Sequence, residues 1–206
     1  MNALEKLMHS RLANILLGTF LFTLWMLFVW VHIRAFIDTD KFAYLVFCVS
    51  ESLQAILFLF RSMPKVVSMD PFDWLVAGGG TLTPLLLRPT DVLLWGHGDI
   101  IVVGAVIIQI IALLSLNRSF ALVAANRSIK TLGAYRIVRH PMYASYIFLF
   151  SGYFLLNASM MNAGLIIFAW VFMGLRLIRE EKLLSEDVAY QEYKKQVKWR
   201  LIPFVY

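Results

Sequence analysis

The stretch DIIVVGAVIIQIIALLSL, residues 99–116, contains a single charged side chain. An α-helix rises about 1.5 Å per residue, so a stretch of this length is close to that needed to cross a hydrocarbon core about 30 Å thick. The chain contains five more apolar stretches of similar length. They are residues 12–33, 42–60, 72–88, 141–157 and 161–178. This pattern predicts an all-α, polytopic integral membrane protein with about six transmembrane helices.

The composition supports the same fold class. Of the 206 residues, 60% are hydrophobic and 16% are charged, and the mean hydropathy is +0.73. Soluble domains contain about 25% charged residues. The third stretch is the least regular, because Gly78-Gly79-Gly80 and Pro84 interrupt it. A broken or re-entrant segment packed against its neighbours is therefore an alternative to a full span there.

The basic residues are distributed unevenly between the polar segments. With six spans and the N-terminus inside, the outer segments hold only Arg34, Lys41 and Arg88 of the 19 Lys and Arg residues. Cytoplasmic loops are enriched in Lys and Arg, so we expect both termini in the cytoplasm. This topology and attraction to anionic lipid head groups explain the net charge of +6. No basic face is left for nucleic acid, so we expect no nucleic-acid partner.

The chain divides by character near residue 98. Residues 1–98 contain spans joined by short loops, and their role is not evident from the sequence. Residues 99–206 contain one span, the long polar loop 117–140, a helical hairpin and a charged tail. An interrupted apolar stripe from Arg179 to about Lys198 predicts an amphipathic helix at the cytoplasmic surface or folded beneath the bundle. One cysteine and four scattered histidines predict no metal site.

The polar loop and the motif after it carry the first candidate chemistry. The loop 126–136 contains several polar and basic residues, and Arg139-His140-Pro141 stands where the fifth apolar stretch begins. Pro141 suits the first position of a helix, because its missing N–H would be unpaired there. The free N–H groups of such a helix start can receive a carboxylate. A charged cap at the point where a helix enters the membrane explains these residues equally well.

Two further polar elements are expected on the same side of the membrane. Arg176 and Glu180 are four residues apart, so they share a helix face and can point at one site. The structural alternative is a salt-bridged helix at the membrane interface. Near the end of the chain, Arg200 precedes Leu-Ile-Pro. It can bind a substrate or act as an anchor to lipid head groups.

Together these motifs resemble the isoprenylcysteine carboxyl methyltransferase family, in the wider group that includes phospholipid N-methyltransferases. The likeness covers about residues 117–206 and is to the bacterial-type members, so it implies a bacterial inner membrane as the location. The matching motifs are Arg139-His140-Pro141-x-Tyr143, Arg176-x3-Glu180-Glu181-x-Leu183-Leu184, Tyr190-x2-Tyr193 and Arg200-x2-Pro203. The resemblance implies S-adenosylmethionine as cofactor, bound on the cytoplasmic side between the loop and the final hairpin.

The resemblance also implies roles for particular residues. It implies Arg176 and Glu180 as catalytic residues, with Arg176 beside the reacting group and Arg200 as a second substrate contact. The implied cofactor-binding residues are Arg127, Ser128, Ile129, Lys130, Tyr135, His140, Pro141, Met142, Tyr143, Glu180 and Glu181. The sequence departs from the family pattern at Leu132, where relatives carry a small residue. The Gly-x-Gly element of phosphatidylethanolamine N-methyltransferases is also missing from the loop.

The motifs leave open which chemical group accepts the methyl group. Methyl transfer from a sulfonium is a direct displacement that needs alignment and exclusion of water. A carboxylate acceptor is already ionised, and Arg176 would orient it through two hydrogen bonds. An amine acceptor must be neutral and would gain from a carboxylate such as Glu181. We favour O-methyl transfer to a prenylcysteine-like carboxylate, with a lipid head group as the alternative. The expected partners are a lipophilic or lipidated substrate and membrane lipids.

Two other functions stay open at this stage. One is a related membrane reductase with a nicotinamide cofactor, for which no site for the extra phosphate and adenine can be located. The other is a transporter or non-catalytic scaffold that uses Glu51 and Gln54 of the second span. An ionisable group inside a span is costly and therefore usually functional, although packing against a polar partner explains Glu51 as well. Substitution of Glu51 should matter in a transporter, and substitution of Glu180 in a methyltransferase.

Overall fold

The structure is a computed structural model that describes residues 10–60, 66–68, 70–116, 125–126 and 129–205. Its α-helices are α1 (Arg11–Thr39), α2 (Phe42–Phe60), α3 (Pro71–Leu82), α4 (Gly98–Leu116), α5 (Pro141–Leu156), α6 (Met160–Leu184) and α7 (Val188–Gln196). Two 3-10 turns, Thr83–Leu86 and Gly133–Arg136, lie between them. Two-residue strands, β1 (Val66–Val67) and β2 (Ala125–Asn126), pair antiparallel. The prediction of an all-α fold is confirmed for the described part of the chain, apart from this short pairing.

Each of the six predicted apolar stretches contains a helix. Helices α1, α4 and α6 are long and apolar enough to cross a membrane, judged by length and composition. Helix α5 and the apolar part of α2 are shorter. In the third stretch, α3 has 12 residues and then tightens into the turn Thr83–Leu86. The expected break therefore occurs beside Pro84, which has no N–H for the helical ladder. The six-span topology stays a prediction.

Side chains at the helix ends determine where several helices begin. The hydroxyl of Ser10 accepts a hydrogen bond from Ala13 N, and the hydroxyl of Ser159 accepts one from Asn162 N at 3.0 Å. Asp70 accepts from Phe72 N at 2.9 Å ahead of Pro71. These oxygens satisfy N–H groups that have no partner within their own helix. The helices therefore start where the sequence changes from polar capping residues to apolar runs.

Glycine residues allow helices α4 and α5 to approach closely. Helix α4 packs against α5, α1 against α2, and α3 against α6. A Cβ added at Gly152 of α5 would lie 3.0 Å from the carbonyl oxygen of Gly98 in α4. Glycine at both positions therefore brings the two backbones together, as is common between membrane helices. A buried contact between His32 and Tyr153, 3.0 Å from Nε2 to the hydroxyl, joins α1 to this pair.

The charged tail folds back onto the start of α5. We expected one helix from Arg179 to about Lys198, and this is wrong. Helix α6 continues to Leu184, and a new helix begins after Asp187, whose side chain accepts from Ala189 N. A capping aspartate competes with continuation of the helix, which explains the break. The short α7 is therefore a separate helix that does not extend α6, and its Tyr190 and Tyr193 pack in one cluster with Tyr135.

Candidate active site

One pocket brings together residues from both halves of the chain. Its volume is about 1270 Å³ when the open space at its mouth is included. Its wall follows α5 from His140 to Phe150, a rise of about 15 Å. We call the end of the pocket that contains His140 of the Arg-His-Pro motif the motif end. It is lined by Ile129, Lys130, Tyr135, His140, Glu180, Tyr190 and Tyr193. The inner end is lined by Trp25, Phe28, Phe47, Glu51, Gln54 and Phe150.

Glu181 is the centre of an ion-pair network beside the motif end. Its Oε1 accepts from Arg139 Nε at 2.7 Å and from His140 Nε2 at 3.1 Å. Its Oε2 pairs with Arg200 Nε at 2.9 Å, and the Tyr190 hydroxyl donates to Oε1 at 3.4 Å. The residue is 5% exposed. A carboxylate surrounded by charged donors in a buried position makes strong hydrogen bonds, so Glu181 holds His140 and the tail in place.

Arg139 attaches the returning tail to the start of α5. Its Nη1 donates to the carbonyl oxygens of Val197 and Lys198 at 3.0 and 2.8 Å. The backbone N–H groups of Arg139 and His140 donate to the carbonyls of Trp199 and Arg200 at 2.9 and 2.8 Å. The Arg-His-Pro motif and the terminal Arg-x2-Pro motif therefore form one structural unit, although about 60 residues separate them.

Arg176 and Glu180 line the pocket from one face of α6, as their spacing predicts. The Tyr143 hydroxyl donates to Glu180 Oε2 at 2.6 Å. The Arg176 guanidinium carbon lies 5.7 Å from the centre of the Tyr143 ring, and its Nη1 donates to Thr81 Oγ1 at 2.8 Å. A residue of α3 and a residue of α5 therefore orient the guanidinium within the pocket.

Three tyrosines give the motif end neutral aromatic walls. Burial raises the pKa of Tyr135, Tyr190 and Tyr193, so these hydroxyls stay protonated near neutral pH. The Tyr193 hydroxyl donates to the backbone carbonyl of Tyr135 at 2.7 Å. This bond ties α7 to the turn Gly133–Arg136. The rings can therefore contact a ligand without adding charge.

Gly133 sets the position of Tyr135. Its φ of +61° is unfavourable for residues with a Cβ, and an added Cβ would collide with the Ser115 side chain. The Ser115 hydroxyl also lies 3.3 Å from Ala134 N, which donates to it. The turn is thus anchored to the end of α4.

The structure places most predicted site residues on the pocket wall, and their roles stay predictions. Arg127 and Ser128 lie outside the described residues. The predicted residues that line the pocket are Ile129, Lys130, Tyr135, His140, Met142, Tyr143, Arg176 and Glu180. Pro141 begins α5 and is buried. Glu181 and Arg200 pair with each other, and these three residues do not contribute to the pocket lining.

The inner end contains polar residues that sequence reasoning did not assign to the site. Trp25 Nε1 donates to Glu51 Oε2 at 2.8 Å, and Gln54 Nε2 donates to Glu51 Oε1 at 3.0 Å. The Tyr146 hydroxyl donates to Gln54 Oε1. The sequence feature that could have indicated a site role for Glu51 was its position as an ionisable residue within an apolar helix. No sequence pattern connects it to Trp25 or to Tyr146, because these partners lie on other helices.

These features define a class: an all-helical protein with membrane-length helices and a ligand-sized pocket that is polar at one end and largely aromatic at the other. Residues 94–191 match the family model described as phospholipid methyltransferase, which groups with the isoprenylcysteine carboxyl methyltransferases. This part of the chain is similar to that family, and the resemblance inferred from the motifs is confirmed at the level of the wider methyltransferase group. The match implies a methyltransferase, and with the apolar helices it indicates membrane association. No curated protein matches the chain.

Proposed function

We propose that the protein is an S-adenosylmethionine-dependent methyltransferase that acts on a lipophilic substrate in the membrane. The observation that carries the proposal is the continuity of the pocket. Its motif end is built mainly from the family-matched segment, and its inner end is lined by aromatic side chains of α1 and α2. A polar cofactor and an apolar substrate can therefore meet along the wall of α5.

The residues at the motif end suit the chemical groups of S-adenosylmethionine. This cofactor carries an ammonium, a carboxylate, a sulfonium and an adenine ring. Glu180, whose carboxylate accepts from the neutral Tyr143 hydroxyl, would bind the ammonium, and Lys130 would bind the carboxylate. The rings of Tyr135 and Tyr190 provide faces for the sulfonium or the adenine. The predicted contacts of Arg127 and Ser128 belong to the same proposal.

The protein's own contribution to the reaction is alignment and exclusion of water. When bound, S-adenosylmethionine supplies an electrophilic methyl group. Arg176, oriented by Thr81 and Tyr143, would hold an anionic acceptor beside Glu180. A carboxylate acceptor needs no general base, so this arrangement is sufficient for O-methyl transfer. We therefore keep a prenylcysteine-like carboxylate as the favoured acceptor and a lipid head group as the alternative.

The proposed membrane topology places the motif end of the pocket on the cytoplasmic side. Six membrane-spanning helices, with both termini in the cytoplasm of a bacterial cell, would place the motif end toward the cytoplasmic supply of cofactor. The inner end would then lie at the depth of the hydrocarbon core, where a lipophilic substrate can enter sideways. The family match does not support a nicotinamide-dependent reductase or a transporter, and we propose neither.

Binding of S-adenosylmethionine by the detergent-purified protein tests this function. Calorimetry should show micromolar affinity in the wild type. The variants Glu180→Gln and His140→Ala should each weaken binding by about tenfold, or about 1.4 kcal/mol. Glu186→Gln is the matched control, because this exposed glutamate lies in the turn after α6 and does not line the pocket. Absence of binding in a folded wild-type sample would overturn the proposal.

A further inference from the structure

Glu51 is a buried carboxylate inside an apolar helix that lines the pocket. It is 6% exposed, and α2 around it reads Phe-Cys-Val-Ser before it and Ser-Leu-Gln after it. A carboxylate in such surroundings needs strong compensation from hydrogen bonds or an opposite charge. The identity of its partners therefore decides what the site can bind.

The neighbours of Glu51 donate hydrogen bonds to it from two sides. Trp25 Nε1 reaches Oε2, and Gln54 Nε2 reaches Oε1. The Tyr146 hydroxyl donates in turn to Gln54 Oε1, which directs the amide N–H of Gln54 toward Glu51. Three side chains from three helices thus orient the carboxylate and keep it as an acceptor at the inner end of the pocket.

The partners of Glu51 are neutral. Among the described residues, Glu51 contacts Trp25 and Gln54 and forms no ion pair. Within the described part of the chain, no ion pair joins Glu51 to a cationic side chain of the pocket wall, such as Lys130. A buried ionised carboxylate that has neutral donors alone is incompletely compensated. A cation from a ligand would complete it.

The rest of the inner end is also suited to a cation. Trp25, which donates to Glu51, lines the same pocket as Phe28, Phe47, Tyr146 and Phe150. Aromatic faces attract a cation by their quadrupole, and the attraction is larger when water is excluded. Aromatic rings around one carboxylate are the chemistry that recognises an organic ammonium group.

We propose that the inner end is a binding subsite for a protonated nitrogen of the lipophilic substrate, with Glu51 as its counter-charge. The inference rests on the proposed function in one respect, that the substrate occupies this pocket. The nitrogen held there is a recognition group and not the methyl acceptor, because a protonated amine has no lone pair to attack the methyl group. Glu51 therefore determines substrate specificity away from the reacting atoms.

The test uses decylammonium and 1-decanol as matched probes, titrated calorimetrically at pH 7 into the full-length protein in a non-ionic detergent. The wild type should bind decylammonium about tenfold more tightly than decanol. In Glu51→Gln this preference should disappear, whereas Glu51→Asp, which keeps the charge, should retain part of it. Glu186→Gln should behave as the wild type.

Equal affinity of the wild type for the two probes overturns the inference, whatever the variants do. A preference that is unchanged in a folded Glu51→Gln variant overturns it as well. The probe comparison needs no cofactor, so its outcome is independent of the test of S-adenosylmethionine binding. Cofactor binding without ammonium preference would remove only the subsite, and the reverse result would remove the methyltransferase proposal.

Discussion

The two ends of the pocket each depend on a buried glutamate, and the two glutamates have opposite surroundings. Glu181 is 5% exposed and pairs with Arg139, His140 and Arg200. Glu51 is 6% exposed and accepts from neutral donors. The two side chains are buried to nearly the same extent, so burial alone does not indicate the role of a glutamate. A carboxylate that compensates several cations holds structure together, and one with neutral partners is available to a ligand.

The largest expected effect in this comparison is on stability at Glu181. Glu181→Gln removes the charge that compensates Arg139 and leaves that guanidinium buried and unpaired. Breaking a buried ion pair on one side costs about 3–5 kcal/mol, so the free energy of unfolding should fall by about this amount. Unfolding by a denaturing detergent, followed by circular dichroism, measures it. Glu186→Gln should leave the transition unchanged, and an equal shift in both variants would refute the structural role of Glu181.

A smaller effect is expected where α7 covers the motif end. Tyr193→Phe removes the hydroxyl that donates to the Tyr135 carbonyl at 2.7 Å and keeps the ring in the cluster with Tyr190. Loss of one neutral buried hydrogen bond costs about 1 kcal/mol. The same unfolding measurement should show this decrease, together with weaker cofactor binding. If the stability falls but the cofactor affinity does not, the contact is structural only.

The smallest effect on stability is expected at Glu51. Glu51→Gln keeps the shape and can still accept from Trp25, and it removes a buried carboxyl group that has no cationic partner among the described residues. Such replacements are close to neutral, so the unfolding free energy should change by less than about 1 kcal/mol. A loss comparable to that of Glu181→Gln would show that Glu51 is also a structural centre. The contrast between the two glutamates would then fail.

Much of the architecture was predictable because it depends on local patterns. Residues 99–116 were expected to form a span, and α4 is Gly98–Leu116. The spacing of Arg176 and Glu180 placed both on one helix face, and both line the pocket. The break beside Pro84 matches the broken segment that the sequence offered as an alternative to a full span. The tail was predicted less well, because the capping aspartate Asp187 stops a helix whose apolar stripe continues past it.

From the sequence, only the residues at the motif end of the pocket could be predicted as site residues. The residues there are recognisable through the family motifs, whereas the partners that orient them are not. Arg176 donates to Thr81, which is 95 residues away in the sequence. Glu181, whose role as a cofactor contact stays a prediction, pairs with Arg139 at a separation of 42 residues. These pairings depend on which helix faces pack together. The helical repeat of the sequence does not indicate this packing, because it describes each helix separately.

The sequence by itself determined the helices, their apolar character and the motifs that resemble those of the methyltransferase family, since hydropathy and helical spacing act over a few residues. Only the tertiary structure decided that the first two helices complete the pocket and that Trp25, Gln54 and Tyr146 surround Glu51. It also decided that Glu181 lies behind the wall while Glu180 lies on it. The physical reason is that a buried charge takes its role from the charges and donors that reach it, and these come from distant parts of the chain.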